Sequence, residues 1–426
     1  MTFRRVKSAG CRWCRLHLKI GGVDPARGAS QVRPEHGGQM GQILTAREIL
    51  NRLVAFPTVS RDSNLQLVDW VEDYLGSWGV TVHRVYNNER TKAALFANIG
   101  PDLAGGVILS GHSDVVPVDG QNWSSDPWVV TERRGRLFGR GTCDMKGFDA
   151  LSLAMVPLAT AGNLKRPLQI ALSYDEEVGC TGAPPMIDKM VKVLPKAAVV
   201  LVGEPSMMRV VTGHKSRIGL QVQVRGYEVH SSTMHRGVNA IMSAARLIDW
   251  ANQQNVISFS RVPSPVAALF DPPCTTVHVG MISGGTAQNI TAGRCSFGVD
   301  FRTVPGENPA DWVAAFRARM AEVQADMQAI RPETGITATE KFFVPALIPE
   351  ANGAAEGLTR RITGDNARHV VSYGTEAGQF QAAGYSAIVC GPGDIAQAHQ
   401  ADEFITVAQF QAGEAFLRRV VAELAR

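Results

Sequence analysis

Four times along this chain an apolar run stops abruptly at glycine, acid or histidine, and this recurrence limits the fold more than any other feature. Residues 107–109 run into Ser110-Gly111-His112-Ser113-Asp114, and residues 168–174 into Asp175-Glu176-Glu177. Residues 198–202 run into Gly203-Glu204, and residues 386–390 into Gly391-Pro392-Gly393. Short apolar runs bounded by turn residues read as buried strands. In an open α/β sheet, ligands collect at the carboxyl ends of parallel strands, so side chains distant in sequence can meet there. Asp144, in a glycine-rich turn between the first two runs, belongs with them.

At 426 residues the chain exceeds the size at which a single core stops growing, so two domains are expected. A net charge of +4, much of it in the first few dozen residues, is too small to imply a nucleic-acid partner, and none is expected. Residues 1–39 hold no apolar run long enough for a membrane span or a secretory core, and no membrane partner is expected. The seven cysteines are odd in number and irregularly spaced, which suits reduced thiols and a cytoplasmic protein.

Residues 1–39 carry Arg4, Arg5, Lys7, Arg12, Arg15 and Lys19 with no acid before Asp24. The segment reads as an extension, disordered or a matter of start-codon choice, with a targeting peptide as the alternative. Its Cys11-x-x-Cys14 pair lacks the second pair that a zinc finger needs. Thr45 and Glu48 form a capping-box signature before an amphipathic helix over 46–56. Helical spacing recurs over 66–78, and strands are expected over 80–85 and 93–98. A tight loop spans 135–141, and the mostly apolar stretch 145–160 reads as one buried helix.

From residue 219 the pattern changes. Strand over 219–224, helix over 239–253, strands over 275–281 and 294–301, helix over 310–327 and strand over 336–343 give βαββαβ, a ferredoxin-like unit. Strands over 370–373 and 386–390 resume the first style, and a helix over 408–424 closes the chain. The expectation is an α/β catalytic domain with a mostly parallel central sheet flanked by helices, in two parts over 40–212 and 345–426. The ferredoxin-like unit is inserted over 213–344.

His112, Asp144, Glu177, Glu204 and His399 supply nitrogen and oxygen donors from five separate segments, a set suited to divalent zinc, cobalt or manganese, with Asp144 able to bridge two ions. Asp114 reads as the acceptor for the other ring N–H of His112. Glu176 would project separately into the pocket and move a proton between water and a leaving group. Alone, each histidine is an ordinary loop residue and the acidic triplet a solvated turn. Repetition at strand ends is costly unless something neutralises the charge. Gly391-x-Gly393-x-x-Ala396 imitates a dinucleotide-binding loop, but the second strand and its ribose-binding acid do not follow it.

Ser110 to Pro117, Gly139-Arg140-Gly141-Thr142-Cys143-Asp144-Met145-Lys146-Gly147, Asp175-Glu176-Glu177 and Gly203-Glu204-Pro205 together resemble the metallopeptidase family of acetylornithine deacetylase, succinyl-diaminopimelate desuccinylase and glutamate carboxypeptidase. The resemblance runs from about Leu44 to the C-terminus. It implies a pair of zinc ions, with cobalt as the alternative: His112 and Glu204 on one, Glu177 and His399 on the other, Asp144 bridging and Glu176 as general base. It also implies that the inserted unit is a lid that dimerises. Gly226-Tyr227-Glu228-Val229-His230-Ser231-Ser232 resembles the lid segment whose histidine, here His230, reaches the partner's active site to steady an oxyanion.

Gly284-Gly285-Thr286-Ala287-Gln288-Asn289 and Asp300-Phe301-Arg302 resemble the family's substrate-carboxylate clamp, giving Asn289 and Arg302 that role. Thr291 stands where relatives often have proline. Gly374-Thr375-Glu376-Ala377 resembles the deacetylase branch, and Glu376 would meet a cationic side chain such as the ornithine δ-ammonium; the plain alternative is a surface or helix-capping glutamate. The resemblance therefore implies removal of acetyl from N2-acetyl-L-ornithine, a step of arginine biosynthesis. The rivals are a sibling hydrolase acting on a dipeptide or another N-acyl amino acid, such as N-succinyl-diaminopimelate, and a metal-retaining pseudoenzyme. Glu176 and a full ligand set speak against the last.

Overall fold

The computed structural model describes residues 41–426. The expected extension over 1–39 and its Cys11/Cys14 pair lie outside the described residues. In chain order the strands are β1 (Val82–Tyr86), β2 (Ala93–Ile99), β3 (Val107–His112), β4 (Thr131–Arg133), β5 (Arg136–Phe138), β6 (Leu168–Ser173), β7 (Val199–Pro205) and β8 (Val211–His214). They continue as β9 (Arg217–Arg225), β10 (Thr276–His278), β11 (Ile282–Gly284), β12 (Arg294–Arg302), β13 (Gly335–Val344), β14 (His369–Val371), β15 (Ala387–Gly391) and β16 (Phe404–Thr406).

The main sheet has eight strands in the order β1-β2-β6-β3-β7-β15-β8-β14. Its centre, β6-β3-β7-β15, is parallel throughout. Side chains alternate between the two faces of a strand. On β3, Val107 and Leu109 join one core with Ile49, Leu53, Leu151 and Leu417, while Ile108 joins a second with Met186, Met190 and Phe380. Strand β7 divides in the same way, Leu201 to the first core and Val202 to the second. Both faces are covered, which is why these strands read as unbroken apolar runs.

Thr45 and Glu48 make the reciprocal capping box at the start of helix Ala46–Val54, an arrangement that contributes about 1 kcal/mol. The single helix expected over 145–160 is instead two, Lys146–Ala154 and Val156–Ala161, parted at Met155. Pro157 is the cause: it has no N–H to give and its ring crowds the carbonyl four residues back.

The second sheet has the order β10-β12-β9-β13, with β11 also on β12, and every pairing is antiparallel. The strand expected over 275–281 is the shorter β10, and a second piece, β11, begins just past it at 282; 278 pairs with 300 and 282 with 297. One extra residue must bulge out between them. Helices Ala240–Ser260 and Pro309–Ile330 cover one face over a core that includes Val222, Leu247, Phe297, Phe301 and Phe316. The chain path is strand, helix, paired strands, helix, strand. A small third sheet joins β16, β5 and β4. No helix among the described residues is long and apolar enough to cross a membrane.

Candidate metal centre

Parallel register brings the acids together. On β3 and β6, His112 pairs with Ser173, so the strands end level and the turns 113–115 and 174–177 leave side by side. The carboxylate of Asp114 bridges them: Oδ1 accepts the Glu176 N–H at 3.1 Å and Oδ2 the Glu177 N–H at 3.4 Å. Ser60 Oγ donates to Oδ2 at 2.7 Å. These contacts make Asp114 the tie between the two turns. His112 Nδ1 lies 2.9 Å from the Asp114 backbone carbonyl and 3.6 Å from Asp114 Oδ1.

Two triads share Asp144: His112 with Asp144 and Glu204, and Asp144 with Glu177 and His399. Within each, the donor atoms lie within 4.8 Å of one another. Asp144 Oδ1 is 3.1 Å from His112 Nε2, and Oδ2 is 3.2 Å from His399 Nε2. Glu204 Oε1 lies 3.7 Å from His112 Nε2, and Glu177 Oε2 lies 2.9 Å from His399 Nε2. His112, Asp144 and Glu204 are buried, whereas the His399 side chain is 52% exposed, so the second triad opens to solvent.

Packing this many acids together out of water is electrostatically expensive. Burial and the neighbouring Asp144 charge push Glu177 up to about 8. Burial, with Asp144 and Glu176 nearby, raises Glu204 well above the usual carboxylate range. Glu176 is pushed up to about 7, again by burial first. Hydrogen bonds to Asp144 and Glu177 raise His399 to about 10. Glu204 Oε1 is buried without a hydrogen-bond partner. Five N and O donors in two overlapping triads, one of them orphaned, are what a pair of divalent cations would satisfy, so the residues fit such ions.

Glu176 projects beside the ligand atoms, with Cys180 Sγ 3.2 Å from its Oε1. Glu376 is 1% exposed. Its Oε2 accepts from Ser110 Oγ at 3.3 Å, and Ser173 Oγ contacts Oε1. It is therefore not a surface residue, and its side chain caps no helix. His230, Asn289 and Arg302 belong to neither triad. His230 is exposed, with Nδ1 2.8 Å from Ser232 Oγ. The Asn289 carbonyl accepts the Ser231 N–H. Arg302 lies 3.3 Å from Asp300 and donates to the carbonyl of Ser372, which leads into the Glu376 loop.

Sequence reasoning missed the group that holds Asp144 and His399. Glu403 accepts the N–H groups of Cys143 and Asp144 and pairs with buried Arg140 at 2.6 Å. Arg140 also donates to Gln121, which in turn donates to the His399 carbonyl at 3.0 Å. The one signal in the sequence is an arginine set between two glycines.

The model of peptidase family M20/M25/M40 matches residues 108–423. An acetylornithine deacetylase from Myxococcus xanthus is 34% identical over 388 residues, covering 88% of this chain and 96% of the relative. An acetylornithine deacetylase from Proteus mirabilis is 30% identical over 376 residues, covering 86% and 93%. Among solved structures, an M20-family metallo-carboxypeptidase from Sulfolobus solfataricus superposes with a TM-score of 0.70 at 17% identity, covering 89% of this chain and 99% of its own. A dinuclear metal-binding peptidase of the M20 family from Bacillus subtilis gives 0.56 at 14% identity, covering 89% and 97%.

Proposed function

Because this chain belongs to peptidase family M20/M25/M40 and is a metal-dependent hydrolase, we propose that it removes the acetyl group from N2-acetyl-L-ornithine, giving L-ornithine and acetate. The observation that carries the reading is Asp144, whose two oxygens face two different triads. His112 and Glu204 would hold one divalent ion and Glu177 and His399 the other, with Asp144 between them. Zinc fits this N and O donor set, and cobalt is the alternative. Bound there, the ions would supply Lewis acidity to the acyl carbonyl and acidify a water near neutral pH.

The protein's own groups do the rest. Glu176 takes the proton of the attacking water and returns it to the departing amine, so that ornithine leaves with its α-amino group neutralised by protonation rather than as an amide anion. Asp114 fixes the Glu176 turn through two backbone N–H groups. We assign residues 213–344 as a lid and dimerisation unit inserted between the catalytic parts 40–212 and 345–426. Met242, Met281, Ile282 and Ile290 are exposed on this unit, an apolar surface suited to a second copy of the chain. Dimerisation would bring His230 to the partner's site to steady the oxyanion, and Asn289 and Arg302 would hold the substrate carboxylate.

Glu376 sets the preference for a cationic substrate. It is a buried carboxylate whose contacts are two serine hydroxyls, and no lysine or arginine pairs with it among the described residues. An acid so placed favours a cationic partner. The reaction then serves arginine biosynthesis, and the free thiols of Cys143, Cys180, Cys274, Cys295 and Cys390 suit the reducing cytoplasm.

The test is kcat/KM for N2-acetyl-L-ornithine, N-succinyl-diaminopimelate and N-acetyl-methionine, with zinc or cobalt and again after chelation. A chelator-sensitive preference for the first is expected. Chelator-sensitive turnover of another substrate would keep the metal chemistry and discard the ornithine assignment. Metal binding without turnover of any would point to a pseudoenzyme.

A further inference from the structure

The turn that carries Glu176 and Glu177 contains an unfavourable backbone conformation and is gripped by a group at the start of β2, the strand paired with β6. Asp175, immediately before them, has φ +58°, the left-handed region that residues other than glycine seldom enter. Its carboxylate lies 2.6 Å from Lys92 Nζ. Both side chains are largely shielded, 14% exposed for Lys92 and 17% for Asp175. Lys92 ends the β1–β2 turn, and its backbone is itself fixed: its N–H donates to Asn87 Oδ1 at 3.0 Å and its carbonyl accepts the Asn87 N–H at 3.0 Å.

Lys92 has a second hold on the same turn. Its ammonium also donates to the Ser60 carbonyl, and Ser60 Oγ donates to Asp114 Oδ2. Asp114 accepts the N–H groups of Glu176 and Glu177. The chain of contacts therefore closes from Lys92 through Asp175 on one side and through Ser60 and Asp114 on the other, with the two glutamates between.

We propose that Lys92 is a positioning residue: its ammonium clamps Asp175 and Ser60 so that the turn presents Glu177 to the metal position and Glu176 to the water. This rests on the roles proposed above for Glu176 and Glu177. A plain structural ion pair would affect stability alone. A positioning group must change metal affinity and turnover in a folded protein, because outer partners of metal ligands are typically worth about 10–100-fold in affinity or activity.

The experiment compares the full chain with Lys92→Met, Lys92→Arg and Asp175→Asn, measuring zinc affinity by competition with a chromophoric chelator, kcat and KM separately, and thermal unfolding. The expected result is a folded Lys92→Met protein with zinc affinity and kcat each about 10–100-fold lower and KM little changed. Lys92→Arg should recover most of both, and Lys92→Met combined with Asp175→Asn should be no worse than the weaker single variant. Lys92→Met with unchanged zinc affinity and kcat but a lower melting temperature would overturn the proposal, as would a loss confined to KM. If the unaltered protein binds zinc and hydrolyses no acyl amino acid, the proposed reaction fails, while the zinc competition still decides the role of Lys92.

Discussion

Glu403 lies directly beneath the main chain of Asp144, its Oε1 accepting the Asp144 N–H at 3.1 Å and the Cys143 N–H at 2.9 Å. Its other oxygen is 2.6 Å from Arg140 Nη1, and both side chains are buried. Removing one member of such a pair leaves a buried charge uncompensated. Arg140→Met should therefore cost about 3–5 kcal/mol in chemical unfolding and weaken metal binding, because the Asp144 turn loses its anchor. A loss below about 1 kcal/mol, the scale of an exposed pair, would contradict this.

Glu376→Gln keeps the size of the side chain and removes its charge. If the carboxylate receives a cationic substrate, kcat/KM for N2-acetyl-L-ornithine should fall about 10–100-fold, the scale of a hydrogen bond to a charged group. N-acetyl-methionine should be affected far less. Equal losses on both substrates would mean that Glu376 supports the strand ends through Ser110 and Ser173 instead.

Five donors were legible in the sequence because most stand at or just beyond the end of an apolar run, and β3, β6, β7 and β15 were legible because burial on both faces makes their runs continuous. The clamps were not. Arg140 and Glu403 are 263 positions apart, and Lys92 and Asp175 are 83 apart, so no local spacing announces either pair. Asp114 is legible only in part for a related reason. Its nearness to His112 is visible in the sequence, but whether carboxylate or carbonyl takes the ring proton depends on how the strand turns after His112. The break at Met155 follows from Pro157, which the apolar pattern over 145–160 obscures.

His230 is exposed and belongs to neither triad. If it serves the partner's site, Glu176→Gln and His230→Asn should each be nearly inactive alone, with the histidine variant down about 10²–10³-fold, as for loss of an oxyanion donor. Mixing the two and allowing subunits to exchange should restore activity, because one site in each mixed dimer is complete. No recovery in mixtures shown to contain mixed dimers would place His230 at its own chain's site.

Burial pushes His214 down to about 4. The ring is neutral, with Nδ1 2.9 Å from the Lys215 carbonyl and Nε2 accepting the Gly378 N–H at 3.2 Å. The unfolded residue titrates near 6.5, so below that pH the unfolded chain binds a proton that the native chain does not. The stabilising contribution is complete above about 6.5 and is lost as pH falls towards about 4, a change of about 3 kcal/mol. The unfolding free-energy difference between the unaltered protein and His214→Gln should shrink by about that amount between pH 7.5 and 4. A difference independent of pH would show that His214 does not titrate in this way.

The central claim is that Asp144 joins two triads into one two-ion site. It is tested most directly by calorimetric titration of the chelator-stripped protein with zinc, alongside Asp144→Ala. Two equivalents per chain, with the binding of both weakened by the single substitution, is the result this arrangement requires. One equivalent or none, or loss of one ion in the variant with the other bound at unchanged affinity, would contradict it.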